Sequence, residues 1–124
     1  MIPVLYRLKK VRDFNLLVQQ GRWRKGPLVD LKYLKLADNK DYFPKQEDPV
    51  VFANQLKIAF AVGLKISKSA VTRNRIKRQL SEIMRLLLKE NKLPLGYYFL
   101  LVPQPAILKA NFAQINQAMR KLFA

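Results

Sequence analysis

From Ala70 to about Asn91 apolar side chains recur at Ile76, Leu80, Ile83, Met84, Leu87 and Leu88, the spacing of one helix face. The opposite arc carries Asn74, Arg75, Lys77, Arg78, Arg85 and Lys89. A helix divided in this way must lay its stripe on a core and leave its cations outside. Ser69 is its expected N-cap. Arg73 lies near the edge of the stripe, in the first turn, where its long side chain reaches past the core. Surface helices usually alternate charge signs, because opposite charges four residues apart stabilise a helix and like charges repel. Asn74/Arg78 and Arg85/Lys89 offer no such pair, and Arg78/Glu82 offers one. The arc suits an anionic partner better than plain solvent, and its arginines suit phosphate oxygens.

The remaining segments can build the core this helix needs. Met1 to Lys10 reads as extended and ends in the basic run Arg7-Leu8-Lys9-Lys10. Phe14, Leu17 and Val18 give residues 11–20 a helical face, with Asp13 in the first turn and Gly21 as a closing C′ residue. Arg22 to Pro27 reads as a turn, and 28–36 as a strand. Residues 37–49 form a polar loop holding Asp38, Asp41, Glu47 and Asp48, half of the 8 acidic residues. Val50-Val51-Phe52 reads as a short edge strand and 57–64 as a longer strand. The apolar run 95–102, between Pro94 and Pro103, reads as a central strand. Helical spacing returns over 110–123, with Phe112, Ile115, Met119 and Leu122 on one face and Arg120 and Lys121 in the last turn. The order of elements predicts one α+β domain spanning residues 1–124.

Composition narrows the chemistry. Against those 8 acids stand 24 Lys and Arg, a formal net charge of +16, spread along a chain that is half apolar. Such a chain folds, and its basic surface favours polyanions: RNA, DNA or acidic membrane. It has no His and no Cys, which removes the commonest general base, thiolate zinc sites and disulfides. No apolar run approaches ~20 residues, so no membrane-spanning helix is expected. The first residues lack the pattern of a signal peptide, and a cytoplasmic protein is the expectation. No catalytic residue and no metal ligand set is expected in this chain.

Arg73-Asn74-Arg75, followed by Ile76-Lys77-Arg78, resembles the RNR signature of the bacterial ribonuclease P protein subunit. The likeness extends through Arg7-Leu8-Lys9-Lys10, Asp13-Phe14 and Gly21, the stretch 61–65, the strand at 97–102, and the closing helix from Asn111. It implies an α-β-β-β-α-β-α sandwich with a left-handed βαβ crossover, resembling folds like the second domain of ribosomal protein S5. It implies a non-catalytic role for this chain within an endonuclease: binding ribonuclease P RNA and precursor tRNA while the RNA, with Mg²⁺, removes the 5′ leader. A single copy in a 1:1 complex is expected, with no membrane and no small-molecule substrate.

Carried over by resemblance, Lys65, Lys68, Arg73, Asn74, Arg75, Lys77, Arg78 and Arg85 would meet the catalytic RNA. For Asn74 a hydrogen bond to backbone at the helix start is a competing role. The leader would lie in a cleft between the first helix and the sheet, near Arg7, Lys9, Lys10, Phe14 and Val18. Either Lys32 or its neighbour Tyr33 would supply the strand position. Such binding combines stacking faces with cations; Phe14 can equally be a core residue. The chain departs from the family pattern at Val18, where an aromatic is frequent, and at Ser81, where an arginine is usual and Arg85 follows one turn on. Leu64 replaces the first of two lysines, and the 38–49 loop is enlarged. Two other functions fit a basic amphipathic helix: a non-catalytic RNA-binding module of ribosomal or assembly type, and a membrane-surface protein.

Overall fold

The computed structural model describes residues 2–123; Met1 and Ala124 lie outside them. Helix α1 (Val11–Gln20) is followed by strands β1 (Arg22–Arg24) and β2 (Val29–Lys35), a short helix α2 (Pro49–Ala53) and strand β3 (Leu56–Phe60). The long helix α3 (Ala70–Lys89), strand β4 (Tyr97–Pro103) and helix α4 (Phe112–Leu122) complete the chain. The four strands form one mixed sheet in the order β1-β2-β4-β3. β4 lies inside it, antiparallel to β2 and parallel to β3, and α3 makes the crossover between the parallel pair.

Two cores explain the strand patterns. Leu31, Ile58, Phe99 and Leu101 point to the face covered by Ile76, Leu80, Ile83 and Leu87 of α3 and Ile115, Met119 and Leu122 of α4. Leu34, Tyr98 and Leu100 point to the other face, under Leu16 and Leu17 of α1 and Phe52 of α2. A strand buried on both faces must be apolar throughout, which is why β4 does not alternate. Phe112 is the exception on α4: it is exposed rather than part of the buried face.

The helix ends follow from local chemistry. Ser69 Oγ accepts from the Thr72 amide at 3.3 Å and starts α3. Asn91, at φ 56°, ends it: the Lys92 amide donates to the Leu87 carbonyl and the Asn91 amide to that of Leu88, the paired bonds of a Schellman turn. Asn111 and Gln114 cap α4 reciprocally at 2.8 and 2.9 Å. Gly21 closes α1 with extended backbone (φ −72°) rather than the left-handed geometry of a C′ glycine. Its lack of a side chain serves close packing, because a Cβ there would lie 2.4 Å from the Leu17 carbonyl oxygen. Gly96, at φ 85°, does require glycine.

Three expectations are corrected. Residues 50–52 form helix α2, not an edge strand, because Asp48 accepts from the Val50 amide at 2.9 Å and Pro49 fits the first helical position. Arg22–Arg24, expected in a turn, forms β1 and pairs with β2 in the register Trp23↔Lys32. In the expected extended N-terminal run, residues 4–6 make a 3₁₀ turn, after which Arg7 bridges to Ile58 at the open edge of β3.

Glu90, just past α3, accepts two hydrogen bonds from Arg120 of α4, at 3.0 and 2.9 Å. The Arg120 bonds, with help from Lys92, pull its carboxyl from the ordinary 4.5 down to about 2. A carboxyl held below its unfolded value stabilises the fold fully above pH 4.5, and that contribution fades as pH falls towards 2. The melting temperature of Glu90→Gln should therefore lie below that of the wild type at neutral pH, with the gap closing in thermal scans taken between pH 4.5 and 2.

Tyr98 raises a different issue. Its hydroxyl is buried and has no hydrogen-bond partner among the described residues. Burial, and then the nearby Asp13 carboxylate, push its pKa far above the ordinary tyrosine range. Removing an unsatisfied hydroxyl while keeping the ring is neutral to stabilising, so Tyr98→Phe should unfold at the same or higher denaturant concentration, by up to about 1 kcal/mol.

Candidate nucleic-acid interface

Helix α3 separates its faces as its sequence requires. Ile76, Leu80, Ile83, Met84 and Leu87 are buried, while Asn74, Arg75, Lys77 and Arg78 are exposed. Among the described residues Arg75, Lys77 and Arg78 have no carboxylate within ion-pair distance. Glu82, one turn beyond Arg78, pairs instead with Arg85, through bonds of 3.0 and 2.6 Å. That bidentate pair holds the Glu82 carboxyl below its usual range. It also partly neutralises Arg85. Arg73 is half-buried and donates to the Ser67 carbonyl at 2.9 Å, bracing the turn that leads into the helix. Lys65 and Lys68 are exposed on that turn.

Asn74, Lys77 and Arg78 rim a groove of about 1110 Å³. Its opposite wall is Ile58 to Phe60 of β3 with Arg7 and Leu8. Val71, Ser81 and Glu82 join α3's side of the groove, with Ser81 at the position where the family pattern usually has an arginine. Asn74, Lys77 and Arg78 are thus aimed along a channel with an apolar wall, which a nucleic-acid strand can occupy.

A second surface lies on the α1 side of the sheet. Phe14 and Val18, one turn apart on α1, are 39% and 44% exposed, so Phe14 is not a core residue. Lys32 Nζ donates to the Val18 carbonyl at 2.6 Å and joins strand to helix. Leu8, Ala59, Ala61 and Val102 are half-buried around this core and leave the sheet incompletely covered beside α1. Strand alternation decides between Lys32 and Tyr33. Lys32 faces α1, whereas Tyr33 points to the opposite core, where the Arg24 guanidinium stands 5.7 Å from its ring centroid. Tyr33 is therefore withdrawn from this cleft.

The basic N-terminal run is divided. Arg7 lines both the α3 groove and a smaller hollow shared with Lys9 and Lys10. Lys9 is exposed, while Lys10 lies 3.6 Å from Glu47 of the enlarged loop.

Six of the 8 carboxylates are already engaged. Asp13 is paired with Arg12; Asp30 with Lys25, the Gly26 amide and Gln104; and Glu47 with Lys10 and Arg12. Asp48 caps α2, Glu82 holds Arg85, and Glu90 holds Arg120 and Lys92. That leaves Asp38 and Asp41, both exposed. Among the described residues no three acidic groups gather where they could hold a metal ion.

A family model described as Ribonuclease P matches residues 2–124. The chain belongs to the ribonuclease P protein family. A ribonuclease P protein component from a Cyanothece species is 31% identical over 125 residues, covering 100% of this chain and 94% of that relative. One from a Synechococcus species is 31% identical over 122 residues, covering 98% and 82%. The fold agrees. The RNase P protein of Staphylococcus aureus superposes with a TM-score of 0.71 at 17% identity, over 94% of this chain and 91% of that one. That of Thermotoga maritima gives 0.71 at 19% identity, over 94% of each. The observed mixed sheet and helix order are those of the ribonuclease P protein fold, as the RNR segment implied.

Proposed function

We propose that this chain is the protein subunit of a ribonuclease P ribonucleoprotein. It grips the catalytic RNA through α3 and the precursor tRNA leader through the cleft beside α1, while the RNA and its Mg²⁺ cut the phosphodiester. The observation that carries this proposal is the set Arg75, Lys77 and Arg78, exposed on α3 and without an ion-pair partner among the described residues, with Lys77 and Arg78 lining the groove of about 1110 Å³. Phosphates at that groove would release counterions and receive charge-assisted hydrogen bonds. Phe14 and Lys32 fit a single strand in the second cleft: an exposed ring for a base and a cation for its phosphate.

The chain's own chemistry supports this division of labour. It lacks His and Cys, and its carboxylates are mostly engaged by cations or caps, so phosphodiester cleavage belongs with the RNA. The membrane-surface alternative loses its basis, because the apolar stripe of α3 is buried against the sheet and α4. No described helix is long and apolar enough to cross a membrane.

Binding of precursor and mature tRNA to the complex of this protein with ribonuclease P RNA tests the leader role. The expected result is tighter binding of the precursor, with the difference depending on the protein. Equal affinity for both would turn the assignment towards a ribosomal or assembly-type RNA-binding module.

A further inference from the structure

Trp23, the chain's one tryptophan, is 46% exposed on the short strand β1. Its neighbours Arg22 and Arg24 pair with Tyr33 and Leu31, so alternation turns them to the α4 side and Trp23 to the α1 side. There it stands directly across from Lys32, the residue bonded to the Val18 carbonyl. Lys32 Nζ lies 5.2 Å from the Trp23 ring centroid and Lys25 Nζ lies 4.5 Å from it. Phe14, Val18, Lys32, Trp23 and Lys25 therefore form one strip running from α1 onto the edge of the sheet.

The strip is held rigidly. Asp30 accepts from the Gly26 amide and from Gln104, and lies 3.3 Å from Lys25 Nζ. Gln104 also donates to the Gly26 carbonyl at 2.8 Å. The turn after β1 is thereby fastened to the end of β4. An exposed indole on a fixed strand, with two ammonium groups over its ring, has the elements that bind a single-stranded nucleotide: an aromatic ring on which a base can stack by displacing an ammonium group, and cations that remain close enough to meet its phosphates.

The geometry points to Trp23 as a further leader-binding residue, stacking a base at the far end of the strip while Lys25 and Lys32 meet its phosphates. This inference rests on the leader role assigned above and extends it by one position on β1. Lengthening the leader should increase affinity stepwise, with a last increment when the strand reaches β1.

The test uses the protein–RNA complex and precursor tRNAs whose leaders are lengthened one nucleotide at a time. Wild-type protein should show the last increment, about five- to tenfold, from one stacked base. Trp23→Leu should lose that increment and Trp23→Phe should keep part of it. With one tryptophan in the chain, fluorescence of the wild type should be quenched at the same leader length. An unchanged increment in Trp23→Leu, equal weakening at every leader length, or no quenching would each overturn the inference. A wild-type complex indifferent to the leader altogether would instead refute the leader role itself.

Discussion

Replacing Arg75 and Arg78 together by alanine should weaken binding to ribonuclease P RNA by about 100-fold at moderate salt, with the fold intact. Both side chains are exposed, and Glu82, the nearest acid along the helix from Arg78, is held by Arg85. Each removed guanidinium forfeits one charge-assisted contact, about 1.5 kcal/mol at the low end of the range for charged hydrogen bonds. The salt dependence gives a second reading. Engagement of about 5 phosphates predicts a log–log slope of affinity against salt near −4, and the double variant should flatten it to about −2.5. Filter binding across a salt series, beside circular dichroism of the free proteins, checks both. A flat slope in the wild type would rule out an interface dominated by phosphates.

Leu80→Ala, a few residues along the same helix, should do the opposite. Leu80 is fully buried between α3, α4 and the sheet. Truncating it removes apolar contacts and leaves a cavity, for an expected loss of about 2–5 kcal/mol. That is a large part of a small domain's stability, typically about 5–15 kcal/mol. Denaturant unfolding should show the midpoint falling steeply. RNA affinity per folded molecule should change little, because no phosphate ligand has been touched. The contrast between the two variants isolates the two faces of α3; loss of folding in the arginine variant would mean the faces are reversed.

The long helix was legible because two periodic signals, apolar and basic, run in register along its length and Ser69 marks its start. β4 was legible because a run buried on both faces is apolar without interruption. The RNR segment within α3 carried the family resemblance. The errors have local causes. Val50 and Val51 have strand propensity, but the Asp48 cap and Pro49 outweigh it in so short a segment. Arg22–Arg24 is too short to show alternation, and its pairing with β2 is a long-range fact. Alternation along β2 puts Lys32 and Tyr33 on opposite faces, but which face α1 covers is a long-range fact that no local pattern reveals. The partial neutralisation of Arg85 depends on which of two arginines Glu82 reaches. Spacing permits either, and the structure selects the one three residues on.

In the proposed function this chain lends grip and cations to a ribozyme and breaks no bond itself. Cleavage of a precursor tRNA at low Mg²⁺, measured with the RNA alone, the protein alone and the two together, tests it most directly. Little or no product is expected from the RNA alone, none from the protein alone, and efficient release of the 5′ leader from the mixture. Leader removal by the RNA-free protein, or a mixture no faster than the RNA alone, would contradict it.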